Sequence, residues 1–107
     1  MLPVHHIDAE ELQRLQESGP LVLVDVRTDA EVARGMIPQA RHIPLHELPQ
    51  RLDELDRAAT TVIYCQSGGR SAQACAWLGQ QGFAAVMNLQ GGILAWARDG
   101  RPVEAPR

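Results

Sequence analysis

Within seven residues, CQSGGRS at 65–71, the chain places a thiol, two glycines, an arginine and two hydroxyls. The apolar run TTVIYC (60–65) leads into Cys65, and the helical pattern RSAQACAWLGQQ (70–81) starts at Arg70. A strand thus stops at a thiol, a tight loop turns, and a helix begins. Gly68 and Gly69 open backbone angles closed to other residues and let main-chain N–H groups converge. The helix start adds unpaired N–H groups and the positive end of its dipole. Arg70 adds a full charge with a planar fork of donors. Such surroundings favour thiolate over thiol and bring a cysteine pKa from about 8.5 into a range of roughly 3.5–7.5. The same cradle, formed by residues Gln66, Ser67, Gly68, Gly69, Arg70 and Ser71, can bind an oxyanion or a charged group attached to the sulfur. These residue types at this spacing point to a thiolate nucleophile inside a small anion-binding loop. A cysteine at a strand end is often a small buried hydrophobe, and a Gly-Gly pair is often only a turn. It is their combination with Arg70 at a helix start that carries the chemical reading.

The elements that must position this loop alternate in type. Asp8 and Glu11 have capping-box spacing ahead of a first helix over DAEELQRLQES, which Gly19-Pro20 stops. The run LVLVDV (21–26) predicts a strand covered on both faces, with Asp25 at its carboxyl end. Thr28 and Glu31 form a second capping box, before a short helix from Asp29 to about Arg34. ARHIP (40–44) is a short strand, and LHELPQRLDEL (45–55) one or two helical turns broken by Pro49. AAVMNL (84–89) is a further strand, GGILAWARDG (91–100) a last helix, and RPVEAPR a loose tail. Strands and helices joined by short connections predict an α/β domain with a mainly parallel central sheet flanked by helices on both faces. One domain is expected over residues 1–107, with its core from 7 to 103. Ligands of such sheets bind beyond the carboxyl ends of the strands, where Cys65 and Asp25 fall.

Composition excludes several classes. The 107 residues are 45% hydrophobic with a formal charge of −3, and the ten basic residues are all Arg. No basic stripe suits a phosphate backbone, so nucleic acid is not expected as a partner. The longest apolar run is too short to span a bilayer, and the N-terminus lacks the pattern of a signal peptide. Two cysteines make no disulfide framework, so a free thiol at Cys65 and a cytoplasmic location are expected.

Three stretches, in order, resemble the rhodanese domain, the sulfurtransferase fold. YCQSGGRS is similar to its active-site loop, a Cys followed by four residues and then often Arg-Ser. Residues 25–44, DVRTDAEVARGMIPQARHIP, resemble its first signature, and residues 89–103, LQGGILAWARDGRPV, its C-terminal one. The resemblance implies that Cys65 is the sulfur-carrying nucleophile and that the amides of 66–70 surround its persulfide. It implies that Arg70 helps hold an anionic donor, and that Asp25 and Arg27 brace the site. Thiosulfate would charge Cys65 and a thiophile such as cyanide or a thiol would take the sulfur. No metal or organic cofactor is implied beyond the transient persulfide, and a protein donor or acceptor stays open. The chain departs from the signature at Met36, Gln39 and His42, where the family usually has His, Gly and Asn.

Two other functions compete. Cysteine phosphatases also set a thiolate in an N–H loop before a helix, but with five residues between Cys and Arg; here there are four, and Tyr64 precedes the thiol. A persulfide relay or binding module would accept sulfur only from a protein. Elsewhere, Cys75 shares a helix face with Ala74 and Leu78 and is expected to pack in the core. His5-His6 fall in an N-terminal arm with no further ligands at metal-binding spacing, and Pro44 separates His42 from His46. Trp96 is expected in the core, as is Trp77 with part of its ring exposed. Asp29, Glu31 and Glu47 read as caps and surface charge.

Overall fold

The computed structural model describes residues 3–106; the outermost residues of the expected domain, 1–2 and 107, lie outside the described residues. Five strands form one sheet: β1 (His5–Ile7), β2 (Val22–Asp25), β3 (Arg41–His42), β4 (Thr61–Tyr64) and β5 (Val86–Leu89). Their spatial order is β1-β5-β4-β2-β3, and every pairing is parallel. The helices are α1 (Ala9–Ser18), α2 (Asp29–Val32), α3 (Gly69–Gln80) and α4 (Gly92–Arg98), with 3₁₀ turns at Leu45–Glu47 and Leu52–Glu54.

Alternation along the strands divides the core in two. Leu23, Val62, Tyr64, Met87 and Leu89 face the side covered by Leu12 of α1, Val32 of α2, and Ile93 and Trp96 of α4. Val24, Ile63 and Cys65 face the side covered by Ala74, Cys75 and Leu78 of α3, with Leu48 and Leu55 from around the 3₁₀ turns. The central strands β2 and β4 therefore bury both faces, which is why LVLVDV and TTVIYC are nearly continuous apolar runs. Trp96 is buried, and Trp77 is partly exposed against the second cluster. Both capping boxes form: Asp8 accepts from Glu11 N–H, and Thr28 from Glu31 N–H. The turns around Pro49 are 3₁₀, and α2 is one turn long, ending two residues short of Arg34.

Two expectations need correcting. The N-terminal arm is strand β1, with His5, His6 and Ile7 in register with Met87, Asn88 and Leu89. Only Ile7 of the three is buried, so the segment carries no apolar pattern that marks a strand. The tail is not loose through Glu104. Met36 and Glu104 exchange main-chain hydrogen bonds of 2.8 and 2.9 Å, and the Trp96 indole N–H donates to the Pro102 carbonyl at 2.7 Å. A buried indole N–H needs an acceptor, and the tail supplies it. Among the described residues, no helix is long and apolar enough to cross a membrane.

The loop before β3 holds one backbone irregularity. Gln39 has φ 71°, the left-handed conformation that glycine adopts without strain. Its side chain is exposed. Gln39→Gly is expected to raise stability in urea unfolding by about 0.5–1 kcal/mol; a loss would show that Gln39 makes contacts outweighing its strain.

Candidate active site

Strand β4 delivers Cys65 to the centre of the sheet's carboxyl edge, between β2 and β5. The residue is 1% exposed. Its carbonyl accepts from the N–H of Ile93 (3.0 Å), and the Gln66 carbonyl from the N–H of Leu94 (3.2 Å), both in the first turn of α4. A trans peptide points its C=O and N–H in opposite directions. Tying these carbonyls to α4 therefore turns the following N–H groups away from it and leaves that of Ser67 on the sulfur's side. Gly68, at φ 111°, then bends the chain back so that its N–H donates to Sγ at 3.1 Å. Ser71, in the first turn of α3, brings its hydroxyl to 3.3 Å from Sγ. Burial pushes the Cys65 thiol up. The Ser71 hydroxyl when it donates, and the N–H groups of Ser71, Gly68 and Ser67, outweigh burial and leave the thiol below its ordinary value.

Under the loop lies a buried ion pair. The Arg27 guanidinium meets both carboxylate oxygens of Asp25, the closest contact being 2.8 Å, with side chains 3% and 0% exposed. Its remaining donors reach the Gly35 carbonyl (2.7 Å), the Glu31 carbonyl (3.3 Å) and the Gln66 side-chain oxygen (3.2 Å). With every edge of the fork engaged, Arg27 ties β2, α2 and the loop together. Asp25 and Arg27 thus stand beneath the loop and neither hydrogen-bonds to the sulfur.

Arg70 is placed differently from a free anion-binding arm. Its guanidinium forms a two-pronged pair with Glu31, at 2.7 and 2.8 Å. The Arg70 hydrogen bond, with help from Thr28, holds the Glu31 carboxyl down at about 2, so the pair persists throughout the neutral range. Glu31 is therefore more than a cap and a surface charge: one carboxylate closes the capping box of α2 and also neutralises the loop's only cation. Gln66 and Arg70 are half-buried, whereas Ser67 and Gly69 are exposed. The structure thus gathers Cys65, Ser67, Gly68 and Ser71 around the sulfur, and turns the Arg70 head group toward α2.

Asn88 was missed in the sequence. It is 2% exposed, in β5, and accepts from the Ser71 hydroxyl at 2.5 Å. An amide inside a strand buried on both faces is the signal that could have found it. Cys75 packs in the core, where burial pushes its thiol up to about 12. Among the described residues no three His, Cys, Asp or Glu side chains gather as a metal ion would need.

Residues 8–99 match the rhodanese-like domain family. The chain belongs to the rhodanese-like domain family. It is 54% identical over 104 residues to a sulfurtransferase of Allochromatium vinosum, covering 96% of this chain and 97% of that one. It is 37% identical over 90 residues to the thiosulfate sulfurtransferase GlpE of Pseudomonas aeruginosa, covering 84% and 81%. The crystal structure of a rhodanese-like domain protein from Staphylococcus aureus superposes with a TM-score of 0.86 at 36% identity, over 97% of this chain and all of that one.

Two of this rhodanese-like domain's departures from the family signature have a visible role. His42 places Nε2 2.7 Å from the Arg27 carbonyl, so it braces the segment below the loop. Met36 buries its side chain in the core cluster that holds Ile37, Tyr64 and Trp96. The contact most sensitive to change is at Gly92. A Cβ there would lie 2.5 Å from the carbonyl oxygens of Cys65 and Gln66, at φ +57°, whereas one at Gly69 meets nothing within 4 Å. Gly92→Ala is expected to cost on the order of 2 kcal/mol in urea unfolding and to slow alkylation of Cys65, with Gly69→Ala nearly neutral in stability. Equal stability of the two variants would contradict the role given to α4.

Proposed function

We propose that Cys65 is the sulfur-carrying nucleophile of a sulfurtransferase and that thiosulfate can charge it. The observation that carries this is the ring of donors on one buried sulfur, from Ser67, Gly68 and Ser71. In the first half-reaction the Cys65 thiolate attacks the outer sulfur of thiosulfate. The new S–S bond forms as the old one breaks, and sulfite leaves with the electron pair. The loop's N–H groups then face the negative outer sulfur of the persulfide. In the second, a thiophile such as cyanide or a thiol attacks that sulfur and the Cys65 thiolate departs. The sulfur rides on Cys65 itself, so the reading calls for no metal or organic cofactor. A resting free thiol fits the reducing cytoplasm.

The phosphatase reading loses support here. A phosphoryl group wants a free guanidinium fork, and Arg70 is held by Glu31. The same pairing bears on the donor. Both cations near the sulfur, Arg27 and Arg70, carry a bound carboxylate. Thiosulfate is thus held by dipoles and hydrogen bonds with little net positive charge to attract it, and a protein that docks and delivers sulfur directly is the alternative donor.

Following thiocyanate formed from thiosulfate and cyanide separates these. Wild-type protein is expected to turn over and Cys65→Ser to be inactive. Turnover of p-nitrophenyl phosphate dependent on Cys65, with no thiocyanate, would overturn the proposal. Glu31→Gln frees the Arg70 fork and is expected to lower the KM for thiosulfate by roughly two- to fivefold, the worth of an ion pair at the protein surface. A higher KM would mean that Glu31 orders Arg70 for binding and does not compete with the substrate.

A further inference from the structure

The hydroxyl of Ser71 stands among three acceptors and has one proton. It is 3.3 Å from Cys65 Sγ, 3.2 Å from the Gly68 carbonyl and 2.5 Å from Asn88 Oδ1. Which of them receives the proton follows from the other end of the Asn88 side chain. Nδ2 lies 3.3 Å from the Gly68 carbonyl and 3.0 Å from Nδ1 of His6 on β1. A carbonyl can only accept, so the atom beside Gly68 is the NH₂ group, and Oδ1 must face Ser71. Two oxygens at 2.5 Å need a hydrogen between them, and the amide oxygen has none to give. The Ser71 proton is therefore on the Asn88 side, and Ser71 turns lone pairs toward the sulfur. That suits a thiol, which can donate S–H to Ser71. It does not suit a thiolate, which needs the proton itself.

We propose that Asn88 is a positioning residue for Cys65: it holds the Ser71 hydroxyl proton away from the sulfur at rest and releases it only when Sγ carries charge. The inference rests on Cys65 being the reacting thiol. It assigns Asn88 a part in the cycle. The free thiolate draws the Ser71 proton to itself. Once a second sulfur is attached, the charge moves to the outer atom, Sγ becomes neutral, and the proton returns to Asn88. Competition from Asn88 raises the free energy of the bare thiolate relative to the thiol and the persulfide, which keeps the nucleophile basic despite the loop's donors. Both Asn88 and Ser71 are buried, at 2% and 0% exposure, so water does not substitute for either partner.

The test is the pH dependence of Cys65 alkylation by iodoacetamide, read by peptide mass spectrometry. This reports the thiolate whether or not sulfur is transferred, so failure of the inference is distinct from failure of the sulfurtransferase reading. Other titratable or charged groups near the pair are His6 on β1, Cys75 on α3, Arg70 with Glu31, and Arg27 with Asp25. Their contributions are common to both members of each comparison below, except where Asn88 itself contacts His6, and the Ser71→Ala background carries that contact too. Asn88→Ala and the nearly isosteric Asn88→Leu are each expected to lower the midpoint by about one unit, because Ser71 is then free to donate to Sγ. Ser71→Ala is expected to raise it. In the Ser71→Ala background, removing Asn88 is expected to change nothing further. A midpoint that stays or rises in whichever Asn88 variant folds would overturn the proposal. So would an equal fall in the Ser71→Ala background, since Asn88 would then act on the sulfur without Ser71.

Discussion

The carbonyl oxygens of Cys65 and Gln66 accept from the N–H groups of Ile93 and Leu94, and this pair of bonds orients the loop. A buried sulfur that is to bear charge needs donors around it, and a loop of seven residues has few to offer. Anchoring the carbonyls on one side presents amides on the other. The anchor requires α4 to start in contact with the loop, which a side chain at Gly92 would prevent. It also requires β5 to end beside β4, which the parallel register Val62 to Met87 and Ile63 to Asn88 provides. Gly91-Gly92 and the thiol, 26 residues apart in the chain, thus form one device.

Charge plays a smaller part than the number of arginines suggests. Arg27 is neutralised by Asp25 beneath the loop and Arg70 by Glu31 beside it. These pairs serve as mechanical ties: one joins β2 to α2 and the loop, the other joins α2 to α3. What remains at the sulfur is a set of oriented dipoles, from three N–H groups and a hydroxyl. Dipoles of this kind are fixed when the loop folds and need no rearrangement as charge shifts between Sγ and an attached sulfur. The Ser71 hydroxyl is the exception, since its proton can turn between the sulfur and Asn88.

Much of this was legible in the chain because it is local. Residues 60–71 contain the strand, the left-handed glycine, the helix start and the thiol, and each leaves a sequence trace. The two capping boxes were readable for the same reason. What could not be read depends on neighbours remote in sequence. Glu31 pairs with Arg70 across 39 positions, and its spacing to Thr28 already explained it as a cap. Asn88 reaches Ser71 across 17 positions and His6 across 82. Strand β1 has one buried residue in three and exists because β5 offers it a free edge. The tail through Glu104 is ordered by Trp96 and Met36, neither of which points to it by pattern.

The most direct test of the central claim is the mass of the intact protein after exposure to thiosulfate alone, followed by peptide mapping. The account predicts a gain of one sulfur atom, carried on the peptide containing Cys65 and removed by cyanide, with Cys75 unmodified. Sulfur found on Cys75, or a Cys65 that stays unmodified while thiocyanate is still formed, would contradict it.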